Sequence, residues 1–375
     1  MKKCCQITIV HSAFDVRIFH KEAKTLAKNG YDVTLIAQHN KNEIVDGIKI
    51  IALPRARSRF FRIFFLTLRT YKIALREKAD IYHFHDPELL PWMAKLKKKT
   101  GAKIIYDVHE DLPKDILSKE WIPGPIRKLV ARLSDWVEKI VSQKFDYVIA
   151  ATPDIRKKFK KHVAIDIKNY PIVEDFNLPQ ELPFPKNENY YNLVYAGGLT
   201  KNRGVKEIIE ALKFINPKYN IRLRMIGRFS DRNFEKEVEK LREGSKVDFL
   251  GWLSQKEVFR HLLESDIGLV CLHPLEQFLV SLPIKMFEYA LAGLPVIASD
   301  FPLWRKIIEG NNCGLCVDSL DPKKIAKAVE YLITHPEEAK KMGENGRRAV
   351  LEKYNWDSEA KKLLKVYEAA FANEK

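Results

Sequence analysis

The stretch Ser281–Asp300 reads SLPIKMFEYALAGLPVIASD and carries the clearest structural pattern in the sequence. Ser281 is placed to cap a helix, Pro283 lies near its first turn, and Gly293 is placed to end it. The run LPVIAS that follows is short, continuous and apolar, which is typical of a strand buried in a parallel sheet. The stretch therefore predicts a helix that leads into a buried strand, the repeating unit of an α/β domain.

The same alternation of apolar runs and helical segments extends along the whole chain in both directions. The second half contains the further apolar runs NLVYAGG, IRLRMIG, KVDFLG and DIGLVCL, each followed by a helical segment. The first half contains CQITIV, DVTLIA, IKIIAL, IYHF, KIIYDV and YVIA, with helices predicted around 18–29, 58–78, 88–98, 125–142 and 153–161. We predict an α/β protein made of two Rossmann-like, parallel-sheet domains that face each other across a cleft.

The length of 375 residues suits two such domains. Residues 171–189 are rich in proline and polar residues and show no period, so they predict a linker between a domain at 1–170 and a domain at 190–353. The tail from Pro336 holds two helical patterns that split near Asn355, which is placed to cap the last helix. We expect residues 354–375 to form that helix and to pack back on the N-terminal domain.

Composition and targeting signals indicate a soluble cytoplasmic protein. The chain is 46% hydrophobic and 30% charged, and it has no apolar run of the ~18 residues that a spanning helix needs. Lys2 and Lys3 precede an apolar run without a small-residue cleavage site, which disfavours a signal peptide. Cys313 and Cys316 form a CxxC with no second metal-binding pair, in a segment that reads as a turn entering a short strand. We interpret both as buried thiols.

The net charge of +16 is concentrated in the first half of the chain. Residues 1–170 carry 34 Lys and Arg against 19 Asp and Glu, whereas residues 171–375 carry 31 against 30. This asymmetry favours an acidic partner of the first domain, such as an anionic acceptor or a lipid surface, with a solvated basic surface as the alternative. The charge is not interleaved with aromatic residues as in RNA-binding motifs, so nucleic acid is not expected as a partner.

Phosphate-binding equipment is predicted in the second half. The first strand is followed by His11-Ser12-Ala13 rather than by GxGxxG, and GxxxxGK[ST] is absent from the sequence, which disfavours dinucleotide and P-loop enzymes. The run NLVYA instead leads into Gly197-Gly198 and then Arg203 before a helix. Glycines allow close approach to the backbone, and Arg203 can bind a phosphate through two hydrogen bonds. An ordinary tight turn between strand and helix is the alternative interpretation.

Glu288 lies inside the otherwise apolar helix of the opening stretch. A carboxylate in such a position is costly unless it is paired, and the hydroxyls of a ribose would pair it, as they do acidic residues in other nucleotide sites. Lys285 is three residues away on the same helix, so an ion pair between the two side chains is the alternative.

With these residues in view, the chain resembles the retaining glycosyltransferases of family 4, the group 1 glycosyltransferases, which have the GT-B fold. The resemblance covers nearly the whole chain. It rests most specifically on KMFEYALAGLPVIASD, and it is supported by the turn AGGL…RG and by the stretches VDFLGWLSQKEV, YDVHE and DVRIFHKEAKTLAKNGYDV. It implies a transfer of a sugar from a nucleotide-sugar donor to a glycan or a lipid-linked glycan, as in the assembly of cell-surface polysaccharides.

The resemblance implies that the second domain binds the donor, with Glu288 on the ribose, Arg203 on the diphosphate, and backbone N–H groups of Ser281 and Leu282 facing the donor. We assign the donor site to Gly197, Gly198, Arg203, Gly227, Arg228, Ser281, Leu282, Lys285 and Glu288. Two positions depart from the family. Val280 stands where the family has a glutamate that usually contacts the transferred sugar, and Gly198 stands where it often has an arginine. These departures affect the identity of the sugar more than the class of reaction.

In the first domain, His109 follows the predicted strand KIIYDV at its carboxyl end, where ligands bind in parallel α/β sheets. The resemblance assigns this histidine to the donor sugar, and we take His109 and Arg203 as the catalytic residues; a helix cap or a core position is the alternative for His109. Asp15, Arg17, His85 and Asp86 are assigned to the acceptor or the cleft. A metal site of His83, His85 and His109 is conceivable, but the family is generally metal-independent, so neither a metal nor another cofactor is expected.

The segment Ser58–Lys78 predicts a basic amphipathic helix with Arg59, Arg62, Arg69 and Arg76 on one face. Such a helix can lie on an anionic membrane, so these arginines are assigned to a membrane or acceptor surface, peripheral at the inner face of the cell membrane. We expect the phenylalanines of this segment to be buried rather than exposed.

The expected partners are a nucleotide-sugar, with a UDP-sugar favoured over a GDP-sugar, and a glycan or lipid-linked acceptor. Two other interpretations are weighed: another GT-B enzyme such as a sugar-nucleotide epimerase or a sugar phosphorylase, and a non-catalytic basic module that binds membrane or nucleic acid. The donor residues of the uncharged half disfavour the second of these.

Overall fold

The structure is a computed structural model that describes residues 2–118, 122–159, 163–181, 184–187, 189–242 and 246–372. The chain divides into two compact units. Unit 1 comprises residues 1–169 together with 356–375, and unit 2 comprises residues 170–355. Each unit is built on one sheet that is wholly or mainly parallel, so the predicted α/β fold class is confirmed. No helix within the described ranges has both the length and the hydropathy to cross a bilayer.

Unit 1 is built on an eight-stranded sheet. Its strands are β1 (Lys3–Ser12), β2 (Asp32–Gln38), β3 (Glu43–Val45), β4 (Ile48–Leu53), β5 (Ile81–Phe84), β6 (Lys103–Val108), β7 (Tyr147–Ala150) and β8 (Val163–Asp166). The order across the sheet is β3-β4-β2-β1-β5-β6-β7-β8, and only the pairing of β3 with β4 is antiparallel. The strands β3 and β8 were not predicted from sequence, because both are short and lie at the sheet edges, where a strong apolar pattern is not required.

The helices of unit 1 connect these strands. A π-helical segment (Val16–Ala23) continues as α1 (Lys24–Lys28), a second π-helical segment (Phe61–Leu66) continues as α2 (Thr67–Glu77), and a 3₁₀ turn (Pro87–Leu89) precedes α3 (Leu90–Thr100). They are followed by α4 (Leu112–Ser118), α5 (Gly124–Ser142) and α6 (Pro153–Lys157). Asp15 caps the first π-helical segment by accepting hydrogen bonds from the backbone N–H groups of Arg17 and Ile18.

Unit 2 is built on a six-stranded parallel sheet. Its strands are β9 (Tyr191–Ala196), β10 (Ile221–Ile226), β11 (Val247–Gly251), β12 (Ile267–Val270), β13 (Val296–Ser299) and β14 (Gly314–Val317). The order is β11-β10-β9-β12-β13-β14. Because β9 and β12 are neighbours although they are distant in sequence, the chain reverses its direction of travel across the sheet between them. In open α/β sheets, ligands bind beyond the carboxyl ends of the strands at such a reversal.

The buried apolar side chains of unit 2 form two hydrophobic clusters, and helices of this unit contribute side chains to both. They are α7 (Val205–Ala211), α8 (Arg232–Leu241), α9 (Gln255–Leu263), α10 (Glu276–Leu279), α11 (Ile284–Leu291), α12 (Pro302–Ile308), α13 (Pro322–Thr334) and α14 (Pro336–Glu352), with 3₁₀ turns at Val173–Asp175, Lys201–Arg203 and Leu212–Phe214. Side chains of Asp231, Ser254 and Asp321 cap three of these helices. These caps satisfy backbone N–H groups that have no partner inside a helix.

The last helix, α15 (Trp356–Ala372), belongs to unit 1. Trp356 donates its indole N–H to the Thr25 hydroxyl at 2.9 Å, and Glu359 accepts the Lys168 backbone N–H at 3.0 Å. Asn355, just before it, donates its side-chain amide to the carbonyl oxygens of Val350 and Leu351, and so closes the end of α14.

The segment predicted as a linker is packed on unit 2 over part of its length. Phe176 is buried and its ring lies 4.1 Å from that of Phe259. The guanidinium of Arg347 donates to the Pro179 carbonyl at 2.6 Å. Proline and polar residues prevented a regular helix or strand here, but they did not prevent packing, because isolated aromatic side chains such as Phe176 still find an apolar surface.

Candidate functional site

In unit 2, the carboxyl end of β9 runs into a turn that only glycine can form. Gly197 has a φ of 138° and Gly227, at the end of β10, has a φ of 149°. A Cβ atom on Gly227 would overlap the Gly197 carbonyl group, and a Cβ atom on Gly204 would overlap the Cys271 carbonyl oxygen. The predicted glycine turn is therefore a real close approach of backbone segments. Because Gly197 and Gly198 have no side chains, the surface beside them is formed by backbone atoms of the turn.

Two basic side chains from different elements meet at this turn. A Cβ atom placed on Gly197 would lie 2.6 Å from Lys285 Nζ and 3.3 Å from Arg203 Nη1, so both cations reach the space beside Gly197. Arg203 ends the 3₁₀ turn after β9, whereas Lys285 lies in the first turn of α11. The helix N-terminus adds its own partial positive charge. The arrangement can bind an anion between two side-chain cations and a glycine backbone.

Lys285 is buried, and its ammonium has no hydrogen-bond partner among the described residues. Its Nζ lies 3.8 Å from the centre of the Tyr195 ring, in a cation–π contact. Burial, and then the neighbouring Arg203 cation, lower the pKa of Lys285 well below its ordinary value, although Glu288 acts in the opposite direction. Burial of an amine without a hydrogen-bond partner is unfavourable, and an anionic ligand would relieve this cost.

Glu288 is half-buried on α11, one turn after Lys285. The ammonium of Lys285 does not donate a hydrogen bond to it, although the charge of Glu288 acts to raise the pKa of Lys285. Ser281 does not cap α11 as predicted. Pro283 is the residue before the first helical position, and the Ser281 hydroxyl donates instead to the Phe278 carbonyl at 3.0 Å. The extended backbone of Pro283 separates Ser281 from the helix start.

The other predicted donor residues differ in their exposure and in whether their groups are already bonded within the chain. The backbone N–H of Ser281 is bonded to the Phe278 carbonyl at 3.2 Å, so it is already used within the chain. Leu282 is half-buried in the segment that leads to α11. Arg228 is exposed, and its guanidinium carbon lies 5.8 Å from the centre of the Trp252 ring. Gly293 follows α11 with a φ of 76° and ends the helix as predicted.

In unit 1, the carboxyl ends of β5 and β6 bring the predicted histidines together. His85 Nδ1 lies 3.0 Å from His109 Nε2, and the rings are 5.1 Å apart. Burial, followed by the effect of Arg17 and His11, outweighs the opposing charge of Asp107 and lowers the pKa of His109 to about 3. Burial and the neighbouring histidines His83 and His109 lower the pKa of His85. Both imidazoles are therefore neutral near pH 7, and each can accept a hydrogen bond.

Arg17 and Asp86 lie inside hydrogen-bond networks rather than on an exposed surface. Arg17 is 5% exposed and donates to both carboxylate oxygens of Asp107, at 2.9 and 3.0 Å. Asp86 accepts hydrogen bonds from the Thr8 hydroxyl at 2.9 Å and from the Ile9 backbone N–H at 2.5 Å. Burial raises the pKa of Asp86 to about 6 despite these bonds. Both side chains are therefore bonded inside unit 1. Their predicted contact with an acceptor would need an atom that is exposed.

Asp15 is more accessible and pairs with a residue to which the sequence had assigned no role. Its carboxylate lies 3.3 Å from His11 Nδ1. Burial would raise the pKa of Asp15, but the hydrogen bonds from His11 and from the Ile18 N–H outweigh it and lower the pKa to about 2. His11 in turn lies 5.5 Å from the His109 ring. The spacing of four residues between His11 and Asp15 was the available sequence signal, but it crosses from a strand into a helix cap.

The basic segment of unit 1 differs from its prediction in two respects. Arg59, Arg69 and Arg76 are exposed as expected, whereas Arg62 pairs with Glu88 at 2.7 Å. The phenylalanines were expected to be buried, and this is wrong: Phe60, Phe64 and Phe65 are each 58 to 63% exposed. The π-helical start widens each turn beyond 3.6 residues, so the apolar side chains are not placed on the buried side as an α-helical period would place them.

A second apolar surface lies on α5, which corresponds to the helix predicted around 125–142. The helix exposes the large side chains Ile126, Leu129, Val130, Leu133, Trp136 and Ile140, with Leu129 at 67% and Trp136 at 61%. The residues that it buries are the small or charged Ala131, Glu138 and Ser142. The buried carboxylate of Glu138 accepts from the Tyr106 hydroxyl at 2.8 Å and from Lys158 at 3.3 Å. The apolar face of α5 is therefore turned away from its own sheet.

Comparisons with known proteins agree with this architecture. The chain is 27% identical over 377 residues to an uncharacterised glycosyltransferase of Methanocaldococcus jannaschii, covering 93% of this chain and 92% of that one. Sucrose-phosphate synthase from Thermosynechococcus elongatus superposes with a TM-score of 0.79 at 17% identity, covering 99% and 100%. The Anabaena protein HepE in complex with UDP-glucose superposes with a TM-score of 0.74 at 13% identity, covering 98% and 100%.

The two parallel-sheet units and these comparisons define the class of protein as a glycosyltransferase of the GT-B fold. The sequence profile described as "Glycosyl transferases group 1" matches residues 178–349, and the profile "Glycosyltransferase Family 4" matches residues 16–170. The chain belongs to the group 1 glycosyltransferases of glycosyltransferase family 4.

Proposed function

We propose that the protein is a retaining glycosyltransferase that binds a nucleotide-sugar in unit 2 and transfers the sugar to a glycan or a lipid-linked glycan. One observation carries this proposal: the buried ammonium of Lys285, which has no hydrogen-bond partner among the described residues, lies beside Arg203 and the glycine turn. Burial and the neighbouring Arg203 lower the pKa of Lys285 well below its ordinary value, so a bound anion would restore the positive charge of this amine, and the site is suited to an anion. The diphosphate of a nucleotide-sugar supplies it.

In the proposed site, Lys285 supplies the positive charge that is missing because Gly198 stands where the family frequently has an arginine. The amine comes from α11 rather than from the turn, and it reaches the same space because Gly197 has no side chain there. With Arg203 it provides two positive charges for the diphosphate. We therefore propose that the transfer needs no metal ion at the diphosphate, because the two side chains stabilise the leaving group electrostatically.

Glu288 is proposed to bind the ribose of the donor. It lies one helical turn beyond Lys285 and is half-buried, so a ligand on Lys285 lies within reach of its carboxylate. A carboxylate accepts hydrogen bonds from two adjacent hydroxyls, which is how acidic residues recognise ribose in other nucleotide sites. A UDP-sugar is favoured as the donor, and HepE, which shares the fold, binds UDP-glucose.

The proposed reaction balances without a protein nucleophile. The bond between the anomeric carbon and the diphosphate oxygen breaks, and a bond from that carbon to the acceptor oxygen forms on the same face. The acceptor proton passes to the departing phosphate oxygen, whose negative charge Arg203 and Lys285 stabilise. His109 is proposed as the group of unit 1 that acts on the reacting sugar, and it is neutral near pH 7 as a hydrogen-bonding role requires.

The acceptor is proposed to be held at an anionic membrane surface by unit 1. The exposed apolar face of α5 carries the basic residues Lys128 and Arg132 at its margins, and the exposed phenylalanines before α2 adjoin Arg59. Apolar side chains that enter the lipid boundary and basic side chains that contact anionic headgroups are the two features of a helix that lies on a bilayer. We propose a peripheral location at the inner face of the cell membrane.

The experiment that tests the donor site compares sugar nucleotides in calorimetric titrations and in assays of nucleotide release with a soluble glycan acceptor. We expect a nucleoside diphosphate and one of its sugar esters to bind, and Lys285→Met to weaken both at least about 10-fold. Lys201→Met is the matched control, because Lys201 is exposed in the same turn. If UDP, GDP and ADP all fail to bind the folded wild-type protein, the proposed function is wrong.

A further inference from the structure

Four buried side chains of unit 1 converge at a point that the sugar transfer does not use. Glu22 lies on the first π-helical segment, His83 on β5, His85 just beyond it and Asp107 on β6. All four are buried, and one potential ligand atom from each lies within 4.8 Å of the others. His83 Nε2 is 3.6 Å from Asp107 Oδ2 and 3.9 Å from Glu22 Oε2, and His85 Nε2 is 3.8 Å from Glu22 Oε2.

Each of the two imidazoles directs one ring nitrogen toward these carboxylates. Neither of these nitrogens has a hydrogen-bond partner among the described residues. Nε2 of His83 and Nε2 of His85 are both buried and make no hydrogen bond within the part of the chain that the structure describes. Their other nitrogens are engaged: Nδ1 of His83 lies 3.0 Å from the Tyr367 hydroxyl, and Nδ1 of His85 lies 3.0 Å from His109 Nε2. A second contact that orients each ring is what histidine ligands of metal ions have in proteins.

The charge of the cluster leaves room for a cation. Arg17 contacts both carboxylates, with its Nε 3.0 Å from Glu22 Oε1 and its Nη2 2.9 Å from Asp107 Oδ2. When both carboxylates are ionised and the histidines are neutral, the guanidinium offsets one of the two carboxylate charges, and a bound cation would offset the other. Glu22 directs Oε1 toward Arg17 and Oε2 toward the histidines, and Oε2 also accepts a long hydrogen bond of 3.4 Å from the Gln6 side-chain amide, which a cation would replace.

We propose that Glu22, His83, His85 and Asp107 bind a divalent transition-metal ion of the zinc type. Two imidazole nitrogens and two carboxylate oxygens form a ligand set that zinc accepts in tetrahedral geometry, with bonds of about 2.0 to 2.2 Å. Such bonds place neighbouring ligand atoms roughly 3.3 to 3.5 Å apart. The three measured separations exceed this by only a few tenths of an ångström, so small side-chain rotations complete the site.

The proposed ion has a positioning role, not one of direct contact with substrate. Four protein ligands fill the coordination of a tetrahedral ion, and closed sites of this kind are structural. Metal bound to Nε2 of His85 leaves the proton on its Nδ1, so His85 donates a hydrogen bond to Nε2 of His109. The ion would thereby fix the tautomer of His109; this last consequence rests on the proposed function, whereas the metal site itself does not.

Metal analysis of the full-length protein tests the site directly. The wild-type protein is first treated with EDTA to remove bound metal. It is then incubated with zinc or with cobalt(II) and desalted, and the bound metal is measured by mass spectrometry. We expect about one equivalent, together with a visible cobalt absorption band typical of four-coordinate geometry and a raised melting temperature. His83→Ala and His85→Ala should each lower metal retention at least about 10-fold, whereas His39→Gln, which changes a histidine outside the cluster, should retain it.

Two further measurements keep loss of folding separate from loss of the site. His85→Cys supplies another zinc ligand and should restore binding, with a shift of the cobalt band toward thiolate absorption. Nucleotide binding in unit 2 should be unchanged in all variants, so a failure of donor binding in the wild-type protein would count against the proposed function alone. A folded wild-type protein that retains neither zinc nor cobalt would overturn the metal site.

Discussion

The two units place their buried charges in opposite ways. In unit 1, Arg17 is surrounded by acceptors and donates to Asp107 and to the Ile167 carbonyl. In unit 2, Lys285 is also buried but has no hydrogen-bond partner in the described ranges, and another cation, Arg203, reaches the same space beside Gly197. A buried charge that is paired stabilises the fold, whereas one that lacks a partner is retained for a ligand. This contrast supports the anion site that we propose in unit 2.

The surfaces of the units show the reverse contrast. Unit 2 contains the nearly neutral half of the chain, whereas the first half carries the excess of basic residues and also exposes the apolar face of α5. Several large apolar side chains exposed side by side on one helix are a feature of interaction surfaces. Unit 1 therefore has the properties of a surface for a large partner, and unit 2 those of a site for a small anion.

The largest effect is expected from removing the carboxylate proposed to bind the ribose in unit 2. Glu288→Ala should weaken binding of the nucleotide by about 10- to 100-fold, because two hydrogen bonds to a charged acceptor are lost. Calorimetric titration of the nucleoside diphosphate measures this. Glu309→Ala, at the exposed residue that follows α12, is the control. Wild-type affinity in Glu288→Ala would mean that the ribose is bound elsewhere.

The next effect is expected on turnover. Arg203→Ala should lower kcat at least about 10-fold, since a charge-assisted contact with the leaving diphosphate should contribute more than about 1.4 kcal/mol to the transition state. Steady-state rates of nucleotide release, compared with those of Lys201→Ala in the same turn, are the measurement. Unchanged kinetics would leave Lys285 as the only side-chain cation of the site.

A smaller effect is expected from the basic surface of unit 1. Arg69→Gln and Arg76→Gln should each weaken association with vesicles that contain anionic lipid by about 5-fold at low salt, since one basic residue near such a surface contributes about 1 kcal/mol. Sedimentation with the vesicles measures it, and donor binding should not change. The paired substitution Arg232→Gln with Lys236→Gln in unit 2 is the control.

The next prediction concerns the exposed apolar face of α5 in unit 1. Leu129→Ser with Trp136→Ser should abolish the part of vesicle association that survives at physiological salt, because exposed charges are screened there over about 8 Å whereas apolar burial is not. Activity on a soluble acceptor should persist in this variant while activity on a lipid-linked acceptor falls. Failure of the wild-type protein to associate with anionic vesicles at any salt concentration would exclude the proposed membrane surface.

The smallest effect is expected in the proton balance of donor binding. Burial and the nearby Arg203 lower the pKa of Lys285 well below its ordinary value, and a bound diphosphate should raise it again. Between these two pKa values, binding should take up as much as about one proton, and affinity should fall as pH rises. Titrations in two buffers with different heats of ionisation measure the uptake. Lys285→Met should abolish it, and zero uptake in the wild-type protein across that range would show that Lys285 is already charged.

The same lowered pKa sets the sign of a stability change. The unfolded chain binds a proton at Lys285 over a pH range in which the folded chain does not, so this residue opposes folding most below the folded-state pKa, and the penalty falls as pH rises from that pKa toward 10.5. Bound nucleotide should remove this dependence, because it raises the pKa of the folded state.

Much of the fold could be predicted because its signals are local. The apolar runs predicted the central strands of both sheets, and the pattern around Tyr354-Asn355-Trp356 predicted the separation of α14 from α15. Gly197, Arg203 and Lys285 were assigned to one site from short motifs, and the structure brings Arg203 and Lys285 together beside Gly197. Edge strands such as β3 were not predicted, because short edge strands need little apolar sequence.

The sequence alone determined the alternation of strands and helices and the resemblance to the family, since both depend on residues close together along the chain. Only the tertiary structure decided that α5 buries Glu138 and exposes Trp136, and that Glu22 meets His83, His85 and Asp107. These outcomes depend on which strands become neighbours in the sheet. Strand order is a property of long-range pairing, and neither periodicity nor spacing within a single element records it.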